Sequence, residues 1–150
     1  MAANPRDFMS WQESNKAVVQ ASFDRWRDGT GGPFELLTPE AEWTIVGSSP
    51  LSRTYHSRQE FLDEVIHPFN ARMMTPLVPT VRGIFADGDM VIILFDASAT
   101  ARDGVPYHNT YTWYFQMKDG RVVRVIAFLI PETSMSFGIA YRLLRESKFC

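Results

Sequence analysis

Hydrophobic and polar side chains alternate with a period of two along the second half of the chain. The clearest case is YHNTYTWYFQ, residues 107–116, where large apolar and polar residues exchange places at nearly every step. Because successive side chains of a β-strand point to opposite faces, this pattern predicts a strand with one aromatic and one polar face. Similar alternation predicts strands at about 77–85, 90–101 and 121–130.

Asp-Gly pairs lie between these predicted strands, in the sequences ADGD, RDG and KDG. Asp-Gly favours the tight turns of β-hairpins, so this spacing predicts an antiparallel meander. Pro131 follows the last strand and is expected to stop it, because proline has no N–H to donate to a neighbouring strand.

The first half of the chain shows helical spacing instead. Val19, Phe23 and Trp26 belong to an apolar stripe that predicts a helix over residues 14–28, after a loose lead-in of about ten residues. GTGGP then breaks the helix, and PFELL predicts a short helical turn. AEWTIVG predicts a short strand at 41–47, and SSPLSRTYHS predicts a loop.

A further helix is predicted directly after this loop. Ser57 as N-cap and Glu60 three residues later match the capping-box pattern. Pro68 lies within the helical pattern and is expected to end or kink the helix. The predicted apolar side of this helix consists of Phe61, Leu62, Val65, Ile66 and Phe69.

The segment SMSFGIAYRLLRES predicts a C-terminal amphipathic helix, which is expected to close the mouth of a pocket or to cover a partner subunit. Its apolar side contains Met135, Ile139, Leu143 and Leu144. Helices followed by a curled antiparallel sheet predict an α+β fold. The length of 150 residues predicts a single domain over 1–150, with a core at about 14–131 and a helical extension at 132–150.

Composition narrows the function classes. The formal net charge of −2 argues against non-specific nucleic-acid binding. Cys150 is the only cysteine, so no internal disulfide is expected. The sequence has no apolar run of the roughly 18 residues that a membrane span needs, and the N-terminus does not resemble a signal peptide, so a cytoplasmic location without membrane association is predicted. The histidines lack metal-ligand spacing and no phosphate-binding loop is present, so no metal or cofactor is predicted.

Alternation also assigns an inner and an outer face to each predicted strand, and a register slip of one residue would exchange them. The inner face brings Asn109 between Tyr107 and Tyr111, and a buried amide or phenol without a partner costs about 1–3 kcal/mol. Two interpretations remain open, namely ordinary large-against-small packing and a ligand pocket. On the inner face Ala97, Ala99 and Ala127 are expected opposite Trp113, Tyr111 and Phe115, together with Phe95, Val123, Val125 and Leu129.

The order of these predicted elements and two sequence segments resemble the SnoaL-like branch of the nuclear transport factor 2-like superfamily. The segments are AEWTIVGSSPLSRTYHSRQEFL and YHNTYTWYFQMKDGRVVRVIAFL, within a similarity over about residues 14–131. Relatives include ketosteroid isomerases, polyketide cyclases and limonene epoxide hydrolases. The resemblance implies a cystatin-like cone, in which a curled mixed or antiparallel sheet wraps over N-terminal helices around a pocket. It also implies a homodimer that forms through the outer sheet face.

The catalytic residues of these relatives do not carry over. The carboxylate base of ketosteroid isomerases falls near Ile45, and their oxyanion donors fall near Ser22 and Trp113. The acid/base aspartate of SnoaL-type cyclases falls near Ile130, and a nearby glutamate falls near Ala127. None of these side chains can act as a general base of suitable pKa. The predicted inner strand faces contain no aspartate or glutamate.

The resulting prediction is an apolar, aromatic-lined pocket that binds a small hydrophobic molecule. An alternative is an enzyme of the isomerase, cyclase or epoxide-hydrolase type that acts on a polyketide- or steroid-like substrate with a non-standard catalytic set. His56, in the loop before the second helix, is the candidate base for that alternative. A purely structural or partner-binding role is a third possibility. The predicted pocket residues are Trp26, Trp43, Ile45, Phe69, Tyr107, Asn109, Tyr111, Trp113 and Leu129.

Other titratable residues are predicted to lie on the surface. His67 and Asp63 share a helix face at a spacing of four residues, which is typical of a surface pair of modest strength. His108 and Asp96 fall on the outer sheet face, where a dimer contact or solvation is expected.

Overall fold

The computed structural model describes residues 5–131, which form the predicted α+β fold with an open six-stranded sheet. The helical elements are α1 (Pro5–Asp28), a 3-10 turn (Pro33–Leu36), α2 (Arg58–Phe61), a π-helical turn (Leu62–Ile66) and α3 (His67–Ala71). The strands are β1 (Leu37–Ile45), β2 (Thr54–Tyr55), β3 (Val78–Asp87), β4 (Met90–Thr100), β5 (Pro106–Lys118) and β6 (Arg121–Pro131). The predicted C-terminal helix lies outside the described residues.

The strand order in the sheet is β2-β1-β6-β5-β4-β3. Strands β3 to β6 form the predicted antiparallel meander, whereas β1 pairs in parallel with β6. Gly88, Gly104 and Gly120 in the three Asp-Gly turns have φ angles of 61°, 84° and 75°, a region that glycine adopts without steric penalty. The meander therefore follows from the turn residues, and the parallel pairing brings the first long strand next to the last.

Helix α1 begins at Pro5, so the predicted lead-in of ten residues is wrong. Proline is well tolerated at the start of a helix, because the first N–H groups have no partner within the helix. The helix packs against the inner face of β3 and β4, where Val19 and Phe23 are fully buried. It ends at Asp28, before Gly29, as predicted.

Two predicted boundaries in the next segment require correction. Strand β1 starts at Leu37 rather than at residue 41, directly after the 3-10 turn. The predicted loop also contains β2, in which Tyr55 pairs with Trp43. Burial explains the second correction, because Tyr55 is 2% exposed and its Oη donates a hydrogen bond to the Leu51 carbonyl at 2.9 Å.

The second helical segment begins at the predicted N-cap Ser57 and changes to a π-helical turn shortly before Pro68. Ser57 Oγ accepts a hydrogen bond from the Glu60 N–H at 3.0 Å, whereas the Glu60 carboxylate accepts from the His56 N–H at 3.3 Å, so only half of the capping box forms. The helix continues past Pro68 to residue 71. The π-helical turn ends at Ile66, two residues before Pro68, whose ring would clash with the carbonyl four residues back in an α-helix.

A β-bulge in β6 overturns one predicted face assignment. Gln116 pairs with Arg124 and Met117 pairs with Val122, so Val123 is an extra residue without a partner in the ladder. Val122 is therefore the fully buried residue, whereas Val123, which was predicted on the inner face, is only partly buried. Period-two alternation cannot reveal a bulge, because one inserted residue reverses the faces beyond it.

The predicted partner is also wrong for each of the three alanines. Ala97 pairs with Asn109, Ala99 pairs with Tyr107, and Ala127 pairs with Trp113 rather than with Phe115. The length of the turn between β4 and β5 fixes this register, and the sequence pattern specifies only the face.

The bulge leads to a test with two adjacent valines. Val122→Ala should lower the free energy of unfolding by about 2 kcal/mol, because it removes fully buried methyl groups, whereas Val123→Ala should cost less than about 1 kcal/mol. Urea unfolding of both variants and the parent protein gives the two values. Equal costs, or a larger cost at Val123, would contradict the observed position of the bulge.

Candidate functional site

Trp113 on β5 lies at the centre of an aromatic cluster between α1, the 3-10 turn and the sheet. Its ring contacts seven other aromatic rings at centroid distances of 4.7–6.1 Å. Such contacts contribute beyond the burial of apolar area. The contacted residues are Phe23, Trp26, Phe34, Trp43, Phe95, Tyr111 and Phe115.

A cavity of about 660 Å³ lies beside this cluster, between the inner sheet face and the helical elements. Most of its lining side chains are apolar. Asn109 is not among them, since it is fully buried on the inner face of β5. The other predicted pocket residues all line the cavity: Trp26, Trp43, Ile45, Phe69, Tyr107, Tyr111, Trp113 and Leu129.

The two tyrosines form a phenol pair in the cavity wall, in which Tyr107 is buried and Tyr111 is partly buried. Tyr107 Oη and Tyr111 Oη are 2.7 Å apart, a hydrogen-bond distance. Burial raises the pKa of the Tyr107 phenol, an effect that the hydrogen bond to Tyr111 partly offsets. Burial also raises the pKa of the Tyr111 phenol well above its usual value, and the adjacent Tyr107 adds to this increase. Both phenols therefore stay protonated at neutral pH.

Asn109 lies between Tyr107 and Tyr111 on the inner face of β5 and is fully buried. Nevertheless, neither Asn109 Nδ2 nor Oδ1 makes a hydrogen bond with any residue in the range 5–131. Asn15 Nδ2 on α1 is likewise buried without a hydrogen-bond partner in that range. Buried amides without partners are rare, so the interior around β5 has more hydrogen-bonding capacity than its own side chains use.

The edge of the cavity carries polar side chains that the sequence analysis did not single out. Glu35, from the 3-10 turn, and Asn70, from α3, are exposed, and Arg58 at the start of α2 is partly buried. Within residues 5–131, the cavity thus opens to solvent on this side. The sequence carries a signal for Glu35, since PFELL predicts a turn that places this carboxylate outside the strand faces.

The histidines differ in their relation to the cavity. His56 is 70% exposed, its Nδ1 lies 3.5 Å from Glu42 Oε1, and it does not line the cavity. His67 lines the cavity edge, and its Nδ1 lies 3.4 Å from Asp63 Oδ1, which is the predicted pair. Geometry therefore favours His67 over His56 as a group that can meet a molecule in the cavity.

Asp96 lies on the outer face, as predicted. Its Oδ1 accepts a hydrogen bond from Thr110 Oγ1 at 2.6 Å, and its Oδ2 accepts one from Arg82 Nε at 2.7 Å. The Thr110 hydrogen bond is the main reason that the pKa of Asp96 is lowered, and Arg82 contributes further. His108 also lies on this face, beside Ser98 on β4.

Positions that carry catalytic groups in relatives have no acid or base here. Ile45, Trp113 and Ala127 line the cavity with apolar side chains. Ser22 is buried in α1, where its Oγ donates a hydrogen bond to the Val19 carbonyl at 2.7 Å.

Ile130, near which the cyclase acid/base aspartate falls, is 60% exposed on the outer face. Between residues 5 and 131, no three His, Cys, Asp or Glu side chains are grouped closely enough to hold a metal ion. No helix in that range is long and apolar enough to cross a membrane.

The family follows from the sequence match together with this architecture. Residues 11–125 match the SnoaL-like domain. The chain belongs to the SnoaL-like family. The sequence matches no curated protein.

Solved structures share the fold of this SnoaL-like protein at low sequence identity. PrhC from Penicillium brasilianum is 15% identical, with a TM-score of 0.70 and coverage of 91% of each chain. An NTF2-like protein from Burkholderia thailandensis is 20% identical, with a TM-score of 0.65, over 84% of this chain and 95% of the other. TerC, co-crystallized with polyporic acid, is 18% identical, with a TM-score of 0.64, over 86% of this chain and 98% of the other. These similarities confirm the predicted cone-shaped NTF2-like fold.

The buried phenols predict a loss of stability at alkaline pH. Because their folded-state pKa values are raised above the unfolded value of about 10, the unfolded state loses these protons first, and stability falls as the pH rises above about 10. The Tyr107→Phe/Tyr111→Phe double variant should show a shallower fall between about pH 9 and 11.

Urea unfolding midpoints across this pH range measure the effect. Tyr114→Phe removes a phenol from the outer face and serves as the matched control. A double variant that keeps the full pH dependence of the parent protein would show that the pair does not titrate as the structure indicates.

Proposed function

We propose that this SnoaL-like protein binds a small, largely aromatic molecule that carries a hydrogen-bond-accepting oxygen. The observation that carries this proposal is the neutral phenol pair in the wall of an otherwise aromatic cavity. The cavity volume of about 660 Å³ lies within the range typical of small-molecule sites. A cytoplasmic location, as predicted from the sequence, forms part of the proposal.

The aromatic walls favour a flat ligand. Trp26 and Trp113 are stacked with an interplanar angle of 11°, and Trp43 and Phe61 are stacked at 12°. All four side chains line the cavity, so a planar ring system would meet aromatic surfaces contributed by several elements. Offset stacking and edge-to-face contacts with such surfaces are favourable for aromatic ligands.

The phenol pair supplies the polar contact. In the hydrogen bond between Tyr107 and Tyr111 one hydroxyl donates, and the other hydroxyl keeps its own proton for a further acceptor. A ligand carbonyl or hydroxyl oxygen could accept it. Because the phenols lie in an apolar wall, this hydrogen bond would also discriminate against ligands without an acceptor.

The similarity to TerC, which has been co-crystallized with polyporic acid, agrees with small-molecule binding by this fold. At 18% identity it supports the fold and does not identify the ligand. The proposal therefore rests on the side chains of this chain.

An enzyme of the isomerase, cyclase or epoxide-hydrolase type remains the alternative function. Its support is the presence of two proton-transfer groups, Glu35 and His67, at the cavity edge. In that case the phenols would stabilise a developing negative charge on a ligand oxygen, and an edge group would move the proton.

Ligand binding can be tested with a panel of aromatic compounds that have or lack a carbonyl or hydroxyl group. Binding should quench tryptophan fluorescence, because Trp26, Trp43 and Trp113 line the cavity, and it should raise the melting temperature. The larger side chain of Ala127→Leu would project into the cavity. It should weaken binding by about tenfold, which corresponds to about 1.4 kcal/mol.

Ala17→Leu, on the exposed side of α1, is the control for an added side chain. Absence of any binding to the parent protein, or equal binding by Ala127→Leu, would overturn the proposal. Mass spectrometry of the recovered compounds separates the two functions, since unchanged ligand indicates a binding protein and a new product indicates an enzyme.

We also propose that the protein forms a homodimer through the outer sheet face. Phe128 is 41% exposed on this face, against the Tyr114 ring at 5.7 Å, and Ile130 is 60% exposed. Adjacent exposed apolar residues on a sheet favour burial against a second copy.

Phe128→Glu should therefore weaken association by at least about tenfold, because it would place a charge in an apolar interface. Sedimentation equilibrium of the parent and the variant measures this, with Met74→Glu, at a 60% exposed loop position, as the control. A parent protein that stays monomeric at micromolar concentration would contradict the dimer.

A further inference from the structure

Arg58 is the one arginine that lines the cavity among residues 5–131. It is partly buried at the start of α2, where its Nε donates a hydrogen bond to the Phe34 carbonyl at 3.1 Å. Phe34 in turn contacts Trp113 and Trp43 at centroid distances of 6.1 and 5.8 Å. A positive charge is thus fixed beside the aromatic wall of the cavity.

Most of the hydrogen-bonding capacity of this guanidinium remains available. Arginine has five N–H donors, and the Phe34 carbonyl takes one. Within the described residues, Arg58 makes no salt bridge, and its Nη atoms make no hydrogen bond. The nearest glutamate in the sequence, Glu60, pairs instead with Arg53 at 2.7 Å.

The carboxylate at the same edge, Glu35, does not pair with Arg58. A Cβ on Gly31 would lie 2.8 Å from Glu35 Oε1 and 3.2 Å from Arg25 Nε, so both groups lie against the same glycine. Among residues 5–131, Glu35 forms no salt bridge with either Arg25 or Arg58. The cavity thus keeps a cation without a carboxylate partner on its protein side.

We infer that Arg58 binds an anionic oxygen group, such as a carboxylate, on the ligand of this cavity. This inference rests on the proposed ligand-binding function and narrows the ligand class to aromatic acids. A guanidinium binds a carboxylate through two parallel hydrogen bonds, and partial burial strengthens the pair relative to one in water. The aromatic skeleton would contact the Trp and Phe side chains, and its acidic group would lie at Arg58.

Two fluorescent probes with the same skeleton, anthracene-2-carboxylate and anthracene-2-carboxamide, test the inference. They differ in charge and hardly in shape, so the ratio of their dissociation constants reports recognition of the anion. The parent protein should prefer the carboxylate by about tenfold at pH 7.5, because a hydrogen-bonded charge pair is worth more than a neutral one. Arg58→Met should lose that preference, and Arg58→Lys should keep part of it.

Arg102→Met is the matched control. Arg102 Nε also donates to a backbone carbonyl, that of Ala71, at 2.8 Å, but Arg102 does not line the cavity. Its variant should keep the preference of the parent protein. Circular dichroism and thermal unfolding show whether each variant is folded. If Arg58→Met does not fold, the probe preference of Arg58→Lys is compared with that of the parent protein instead.

The outcomes separate the two proposals. If the parent protein binds both probes equally, or if Arg58→Met keeps the preference for the carboxylate, the role of Arg58 is overturned while ligand binding stands. If the parent protein binds neither these probes nor any compound of the aromatic panel, the proposed function itself fails.

Discussion

The packing of Trp113 against its aromatic neighbours is the interaction on which this structure depends. Trp113 lies on the inner face of β5, and its ring meets Trp26 from α1, Phe34 from the 3-10 turn and Trp43 from β1. One side chain thereby fixes the distances between three elements that are far apart in sequence. The same rings form a wall of the cavity, so the cluster that stabilises the fold also defines the shape of the site.

Two of the polar groups that line the cavity differ in kind. The phenol pair of Tyr107 and Tyr111 is neutral, because burial raises both pKa values. The guanidinium of Arg58 is charged and lies near the opening. The two groups select different features of a ligand. The phenol pair selects a hydrogen-bond acceptor, and the Arg58 guanidinium selects a negative charge.

Much of the fold could be predicted from sequence, because period-two alternation and Asp-Gly turns are local signals. Most of the pocket residues lie at positions whose face these signals determine, such as Trp113 and Tyr107. The bulge at Val123 and the pairing of Ala97 with Asn109 could not be predicted, since both depend on register between strands. The position of Arg58 at the cavity could not be predicted for a related reason. The hydrogen bond that fixes its side chain joins α2 to the Phe34 carbonyl, 24 residues earlier in the chain.

The parallel pairing of β1 with β6 has a consequence for the order of folding. Leu37 lies opposite Val122, and the Arg121 side chain donates a hydrogen bond to the Leu37 carbonyl across 84 positions of the chain. The hairpins of the meander close short loops, whereas β1 can join the sheet only after β6 has been synthesised and paired. Closing so long a loop carries an entropic cost and slows folding. During synthesis the edge of β1 that faces β6 therefore stays unpaired until the last strand has been made, and an unpaired strand edge can associate with another chain.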